Sequence, residues 1–196
     1  MRDQVKALRD CGAPIDGVGF QSHLILSDLV SPEGVLNSGA IDLVEQSIED
    51  LATADIEVAI TELDIRICDE DRDEAFQEVA YQAYCEMALS QPNCHEVVFW
   101  GLRDEDNWIT LSNSPFFINC QDASLVEGDD YSPKPAYDGV VAAIMALADQ
   151  DEFGFAPLLP GNGAPANCGG MGSIEPAILA VNGPSAVLPG GQAAVA

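Results

Sequence analysis

Polar side chains that proteins use for acid, base and nucleophilic chemistry stand where three apolar stretches of the chain end. They form three pairs, which are Gln21 and His23, Glu62 and Asp64, and Arg103 and Asp104. In a strand, residues two apart share a face and lie about 6.5 Å apart along it. We therefore expect Glu62 and Asp64 to point into one cavity, together with Gln21 and His23. The pattern predicts a site at the carboxyl ends of parallel strands.

The elements that would position these groups alternate between helix and strand. Apolar periodicity predicts four helices. The first covers 3–11, the third runs from Phe76 to Met87, and the fourth covers 136–148. The second begins at a cap at Ser38, and its apolar stripe is Ile41, Val44, Ile48 and Leu51. Between the helices, apolar runs predict strands over 17–23, 56–64 and 97–100. The second is of the kind buried on both faces, and the third is also buried. The third helix is expected to stop near Gln91 and Pro92.

This alternation predicts an α/β protein with parallel strands joined by right-handed crossovers. Two architectures fit the pattern, a doubly wound open sheet and a segment of a β/α barrel. The open-sheet interpretation lacks a glycine-rich phosphate turn after any strand, which weakens a nucleotide-binding role.

Four motifs in order resemble glycoside hydrolase family 10 xylanases over roughly residues 1–149. Gly12 to Leu24 (GAPIDGVGFQSHL) is similar to the sixth-strand signature of the family, and Ile60 to Asp64 (ITELD) to its seventh-strand nucleophile motif. Phe99 to Trp108 (FWGLRDEDNW) resembles the eighth-strand motif, and Lys134 to Tyr137 (KPAY) the start of the final helix. The resemblance implies part of a TIM (β/α)8 barrel, corresponding to strands 6–8 and their helices.

The same resemblance implies a retaining endo-1,4-β-xylanase that cleaves internal bonds of xylan. Glu62 would be the nucleophile that forms a covalent glycosyl-enzyme, and His23 and Asp64 match the positions that hold it. Gln21 and Arg103 would contact the substrate, and Trp100 and Trp108 would offer flat faces to xylose rings. Core packing is the alternative for Trp100, because aromatic residues are common in protein cores.

The acid/base glutamate of the family, in a fourth-strand motif like WDVVNE, has no counterpart among the 196 residues. Strands one to five of the family pattern are also missing. We therefore expect xylanase activity to be incomplete in this chain, with an N-terminal half of the same barrel as its missing partner. A noncatalytic xylan-binding half-barrel is the alternative function.

Charge excludes two classes of partner. The chain has 33 acidic and 7 basic residues, for a net charge of −26, which repels nucleic acids and anionic membranes. No apolar run reaches the roughly 18 residues of a membrane span. No signal peptide follows Met1, although six cysteines favour an oxidising compartment. With the resemblance, this predicts a secreted, extracellular protein that binds xylan or xylo-oligosaccharides.

Cysteine spacing leaves the disulfides open. Cys85 and Cys94 are close enough in sequence to be bridged, and free thiols are the alternative. No CxxC pair suggests zinc. A calcium-like run at Asp69, Asp71 and Asp73 is rejected, since Glu74 and Ala80 replace the required Gly and Glu. We therefore expect no metal and no cofactor.

Composition divides the chain into a barrel segment, 1–149, and a tail, 150–196. In residues 151–196, 15 of 46 are Gly or Pro, and no Lys or Arg follows Lys134. Such a segment buries too little apolar surface to offset its ordering entropy, so we expect a linker or a disordered tail.

Overall fold

The computed structural model describes residues 2–68, 73–112, 117 and 119–148. The tail at 150–196 and the rejected calcium-like residues Asp69 and Asp71 lie outside these ranges. The described elements, in chain order, are α1 (Arg2–Asp10), β1 (Gly17–Phe20), β2 (His23–Ile25), α2 (Leu26–Leu29), α3 (Ser38–Ala52), β3 (Glu57–Arg66), α4 (Glu74–Ser90), β4 (Cys94–Phe99), a 3-10 turn (Asp104–Asp106), α5 (Trp108–Leu111), β5 (Val126–Glu127), β6 (Ser132–Pro133) and α6 (Pro135–Ala148).

Strand β3 is the centre of the main sheet, and each of its neighbours runs parallel to it. β1 and β4 both pair with Val58–Ile60, so they lie on opposite edges of β3. β2 continues from β1 and pairs with the later part of β3, from Asp64 to Arg66. Helices connect the strands, which confirms the predicted α/β class with parallel strands.

The prediction that 97–100 form a buried strand is wrong in its burial. β4 exists, but Val98 is 39% exposed, and the adjacent Glu96 and His95 are exposed as well. Among the described residues β4 pairs only with β3, so it is an edge strand with a partly uncovered face.

Local sequence chemistry sets the ends of the helices. The carboxylate of Asp73 accepts hydrogen bonds from the amides of Ala75 and Phe76, at 3.0 and 3.3 Å, and so begins α4. The helix ends at Ser90, directly before Gln91 and Pro92, as predicted. The predicted cap at Ser38 is wrong, because α3 begins at Ser38 and the capping position is Asn37. The side-chain amide of Asn37 donates to the Asp28 carbonyl instead of capping the helix.

Helices α4 and α6 pack closely because α6 has a glycine at the contact. A β-carbon at Gly139 would lie 2.4 Å from the carbonyl oxygen of Glu78 on α4. The same face of α6 buries Ala136, Val140, Ala143 and Leu147. Small residues on this face therefore allow the two helix backbones to approach each other.

The core lies between the sheet and the helices. Its fully buried side chains include Ile56, Ile60, Leu63 and Ile65 from around β3, with Tyr81 and Tyr84 from α4. No helix in the described ranges combines the length and the apolar character needed to cross a bilayer.

Candidate active site

A β-bulge in β3 lies next to Glu62. Phe20 pairs with Ile60, and His23 pairs with Asp64. Between these two pairs there are three steps along the segment of β1 and β2 but four steps along β3. On the other edge, β4 advances two residues from Val97 to Phe99 while β3 advances three. β3 thus carries one extra residue relative to both neighbours. Such bulges re-aim side chains next to functional sites.

The imidazole of His23 lies between the two carboxylates of β3. Its Nδ1 is 2.9 Å from Asp64 Oδ2, and its Nε2 is 3.2 Å from Glu62 Oε2. The Asp64 side chain is fully buried, whereas that of Glu62 retains 13% exposure. The expectation that these three groups converge therefore agrees with the geometry, and Glu62 is the carboxylate that a ligand could reach.

Electrostatics favour a charged His23. The hydrogen bond with Asp64 raises the pKa of His23 above 6.5, with a further contribution from Glu62, while partial burial opposes the shift. A protonated imidazole has a donor on each ring nitrogen, so it can donate to both carboxylates at once. This arrangement holds Glu62 in one orientation.

Two further polar groups complete the contacts to these carboxylates. Gln21 Nε2 lies 3.5 Å from Glu62 Oε1, at the limit of a hydrogen bond, and Gln21 is exposed. The indole N–H of Trp108 donates to Asp64 Oδ2 at 2.8 Å. The resemblance implies only a flat sugar-binding face for Trp108, and no sequence signal links it to Asp64, 44 residues away.

The aromatic rings of Trp100 and Trp108 flank His23. Their centroids lie 6.2 and 5.0 Å from the centroid of the imidazole. Trp108 is 37% exposed and also packs edge-on against Phe117, with centroids 4.8 Å apart. Trp100 is half-buried and precedes Gly101, whose φ of 100° turns the chain out of β4. Both residues thus keep part of their surface accessible, as sugar stacking requires.

Arg103 lies in a separate ionic cluster. Its guanidinium donates to Asp106 at 2.5 Å and to Asp129 at 2.7 Å, and it lies over the ring of Tyr131. With the Gly128 carbonyl at 3.3 Å and a second contact to Asp106 at 3.4 Å, four of its five N–H donors have partners, and none of these contacts involves Glu62. The predicted substrate contact by Arg103 stays a prediction.

Asp104 has a buried structural partner that the sequence did not reveal. Its carboxylate accepts from Lys134 Nζ at 2.6 Å and from the amide of Ser124 at 2.7 Å. Lys134 is almost fully buried, at 1% exposure, and its ammonium also lies 3.4 Å from Glu74. Glu74, Asp104 and Glu127 come close enough together to hold a cation, and the Lys134 ammonium supplies positive charge there.

The cysteines form a different pair from the one considered in the sequence. Cys68, just after β3, is bridged to Cys120. Cys85 and Cys94 are both free and buried, and Cys11 is free and exposed. The bridge between Cys85 and Cys94 is therefore wrong, and the free-thiol alternative holds for both. Burial raises the pKa of Cys85 to about 12 and that of Cys94 to about 11, which keeps these thiols protonated.

Neighbouring parallel strands that hold a histidine between two carboxylates define a β/α protein with reactive groups on its strands. The sequence model of Glycosyl hydrolase family 10 matches residues 1–143. The chain belongs to this family.

Known relatives agree with this assignment. The chain is 33% identical to endo-1,4-beta-xylanase A of Humicola insolens over 142 residues, which are 71% of this chain and 34% of that protein. Native xylanase 10B of Thermotoga maritima is structurally similar, with a TM-score of 0.63 and 25% identity over 76% of this chain and 42% of that one. Xylanase 10B of Thermotoga petrophila RKU-1, solved with xylobiose, gives a TM-score of 0.61 and 27% identity over 74% and 40%.

The chain spans about a third of the length of the Humicola relative and about two fifths of these two structures. The described fold therefore corresponds to part of the fold of these xylanases.

Proposed function

We propose that this chain contributes the nucleophile side of a retaining endo-1,4-β-xylanase. The single observation that carries the proposal is the position of His23, 3.2 Å from Glu62 and 2.9 Å from Asp64. In this mechanism Glu62 attacks the anomeric carbon of a xylose unit and forms a covalent glycosyl-enzyme. The described strands β1 with β2, β3 and β4 then correspond to strands 6, 7 and 8 of the family barrel.

The side chains around Glu62 have distinct roles in this proposal. His23 donates to Glu62 and orients it, and Asp64 holds the other ring nitrogen of His23. Gln21 contacts the sugar near the cleaved bond, and it is both exposed and adjacent to Glu62. Trp100 and Trp108 bind the sugar faces. Arg103 is paired with Asp106 and Asp129, so a contact with substrate would compete with these ion pairs.

Retaining hydrolysis needs a second carboxyl group about 5 to 5.5 Å from the nucleophile. The family motif for that acid/base group is absent from the 196 residues. Glu105 and Asp104 are acids of the eighth-strand motif, and both have structural partners, the Gly128 amide at 2.9 Å and Lys134 at 2.6 Å. We propose that another barrel segment supplies the acid/base, and that the enzyme is secreted, which the disulfide between Cys68 and Cys120 supports.

An activated substrate tests this proposal in the chain itself. An aryl β-xylobioside with a dinitrophenolate leaving group needs no proton donor for its first step. We expect a burst of up to one dinitrophenolate per chain, followed by slow turnover, because the group that activates water is missing. Glu62→Gln should abolish the burst, and hydrolysis of xylan itself should be very poor.

The noncatalytic xylan-binding half-barrel gives a different result. It predicts no burst from the wild-type chain, together with retarded migration in gels that contain soluble xylan. The exposed ring of Trp108 is the observation that favours such binding. Trp108→Ala would remove that retardation, whereas Glu62→Gln would leave it unchanged.

A further inference from the structure

Ser22 occupies an unusual backbone conformation between two residues that contact Glu62. Its φ is 61°, in the left-handed region that residues with a β-carbon adopt rarely. Gln21 precedes it and His23 follows it, and both approach the carboxylate of Glu62. The conformation of Ser22 therefore determines how these two side chains are aimed.

Ser22 is held through both its side chain and its backbone. Its hydroxyl lies 2.8 Å from the hydroxyl of Tyr84, which is 1% exposed on α4. Its carbonyl oxygen accepts a hydrogen bond from the amide of Asp64 at 3.3 Å. The helix behind the sheet thus connects directly to the residue between Gln21 and His23.

The left-handed residue Ser22 lies beside the bulge in β3. Phe20 pairs with Ile60 before Ser22, and His23 pairs with Asp64 after it. Three steps separate the two pairs on the side of Ser22, and four separate them on β3. A residue in the left-handed region allows the edge strand to resume pairing with β3 one position further along. Only then is His23 opposite Asp64 and within reach of Glu62.

The hydroxyl of Tyr84 keeps its proton through the range in which enzymes work. Burial raises the pKa of Tyr84 to about 12, although the hydrogen bond with Ser22 lowers it in part. A neutral hydroxyl can both donate and accept a hydrogen bond, so its contact with Ser22 persists at neutral pH.

We propose that Tyr84 is a positioning residue whose hydroxyl holds Ser22 in the left-handed conformation that sets Gln21 and His23 against Glu62. The proposal rests on the proposed role of Glu62 as the nucleophile. Tyr84 itself acts through Ser22, the residue that its hydroxyl contacts. Nothing in the sequence pattern distinguishes Tyr84 from an ordinary core residue.

Tyr84→Phe tests the proposal in the full chain, because it keeps the ring and removes only the hydroxyl. We expect the rate of the dinitrophenolate burst at saturating substrate to fall roughly five- to tenfold, the effect of one lost hydrogen bond. The substrate concentration for half-maximal rate should change little. Proton NMR should show a lower pKa for His23 as its contact with Glu62 loosens.

Two further variants separate positioning from stability. Ser22→Ala should reproduce both effects, and the double variant should be no worse than either single one, since all three lack the same hydrogen bond. Tyr81→Phe is the matched control. It removes another buried tyrosine hydroxyl of α4, one bonded to the Ala123 carbonyl and the Ile65 amide. It should lower stability and leave the pKa of His23 unchanged.

The outcomes distinguish this proposal from the proposed function. If the wild-type chain gives no burst, the proposed role of Glu62 is wrong. The pKa of His23 in the Tyr84 and Ser22 variants then still tests whether Tyr84 positions His23 through Ser22. An unchanged pKa and burst rate in folded Tyr84→Phe and Ser22→Ala would overturn the positioning role. Equal effects of Tyr81→Phe on the pKa of His23 would overturn it too.

Discussion

The indole N–H of Trp108 donates to Asp64 at 2.8 Å, on the same carboxylate oxygen that His23 approaches at 2.9 Å. Asp64 is fully buried, so these two groups stabilise its negative charge in place of water. Helix α5, which begins at Trp108, is thereby connected to the second half of β3. Trp108 thus has a polar role in addition to its exposed ring.

Trp108→Phe should separate these two roles, because it keeps a flat ring and removes the donor. A buried acceptor that loses a donor costs about 1 to 3 kcal/mol. We expect that loss in the free energy of unfolding measured by urea denaturation, with a slower dinitrophenolate burst. Tyr137→Phe, a change at an exposed ring of α6, is the control and should alter neither quantity. Equal stability of Trp108→Phe and wild type would contradict the polar role.

The titration of His23 should depend on both carboxylates. Its folded-state pKa lies above 6.5, so the imidazolium contributes stability that is fully present below about pH 6.5. That contribution is lost as the pH rises through the folded-state pKa. The stability difference between wild type and His23→Gln should therefore be larger at low pH than at high pH. A stability difference between wild type and His23→Gln that increased with pH would contradict this prediction.

NMR can follow this titration directly, because the chain has only two histidines. His95 is exposed and lies 2.9 Å from Glu57, outside the site, so His95→Gln identifies the His23 resonances. Glu62→Gln removes one of the two negative charges beside His23, and the pKa of His23 should fall. The same variant should leave the resonances of His95 unaltered.

The amphipathic stretches and the polar residues at strand ends were sufficient to predict the α/β class and the convergence of Glu62, Asp64 and His23. The bulge in β3 was not predictable, because it is a mismatch between strands rather than a property of one. The contacts of Trp108 with Asp64 and of Tyr84 with Ser22 join residues 44 and 62 positions apart, so no local pattern encodes them. The burial of β4 was overestimated because apolar composition does not reveal which strand lies at an edge.

The buried pair of Lys134 and Asp104 should matter for stability rather than for chemistry. Lys134→Met removes the cation and leaves the Asp104 carboxylate buried without its ion partner, which typically costs about 3 to 5 kcal/mol. Adding Asp104→Asn to that variant should restore part of the loss, because the remaining charge is removed. Urea denaturation of the two variants and wild type measures both effects. A double variant less stable than Lys134→Met would contradict the pairing.

Because α4 and α6 are in close contact, alanine should lower stability at Gly139 but not at Gly39. Gly139→Ala places a β-carbon 2.4 Å from the Glu78 carbonyl, so the helices must separate, at a cost of about 1 to 3 kcal/mol. Gly39→Ala in α3 meets only Asn37 Oδ1 at 3.6 Å and should be neutral or slightly stabilising. Thermal denaturation compares them, and similar melting temperatures for the two variants would refute the close packing.

The role of Glu62 is tested most directly by finding which residue forms a bond to the sugar. The chain would be incubated with a 2-deoxy-2-fluoro-β-xylobioside that carries an activated leaving group, then digested and mapped by tandem mass spectrometry. We predict one ester-linked sugar on Glu62, and none on the chain of Glu62→Gln. A label on another carboxylate, or no label on a folded wild-type chain, would contradict the account.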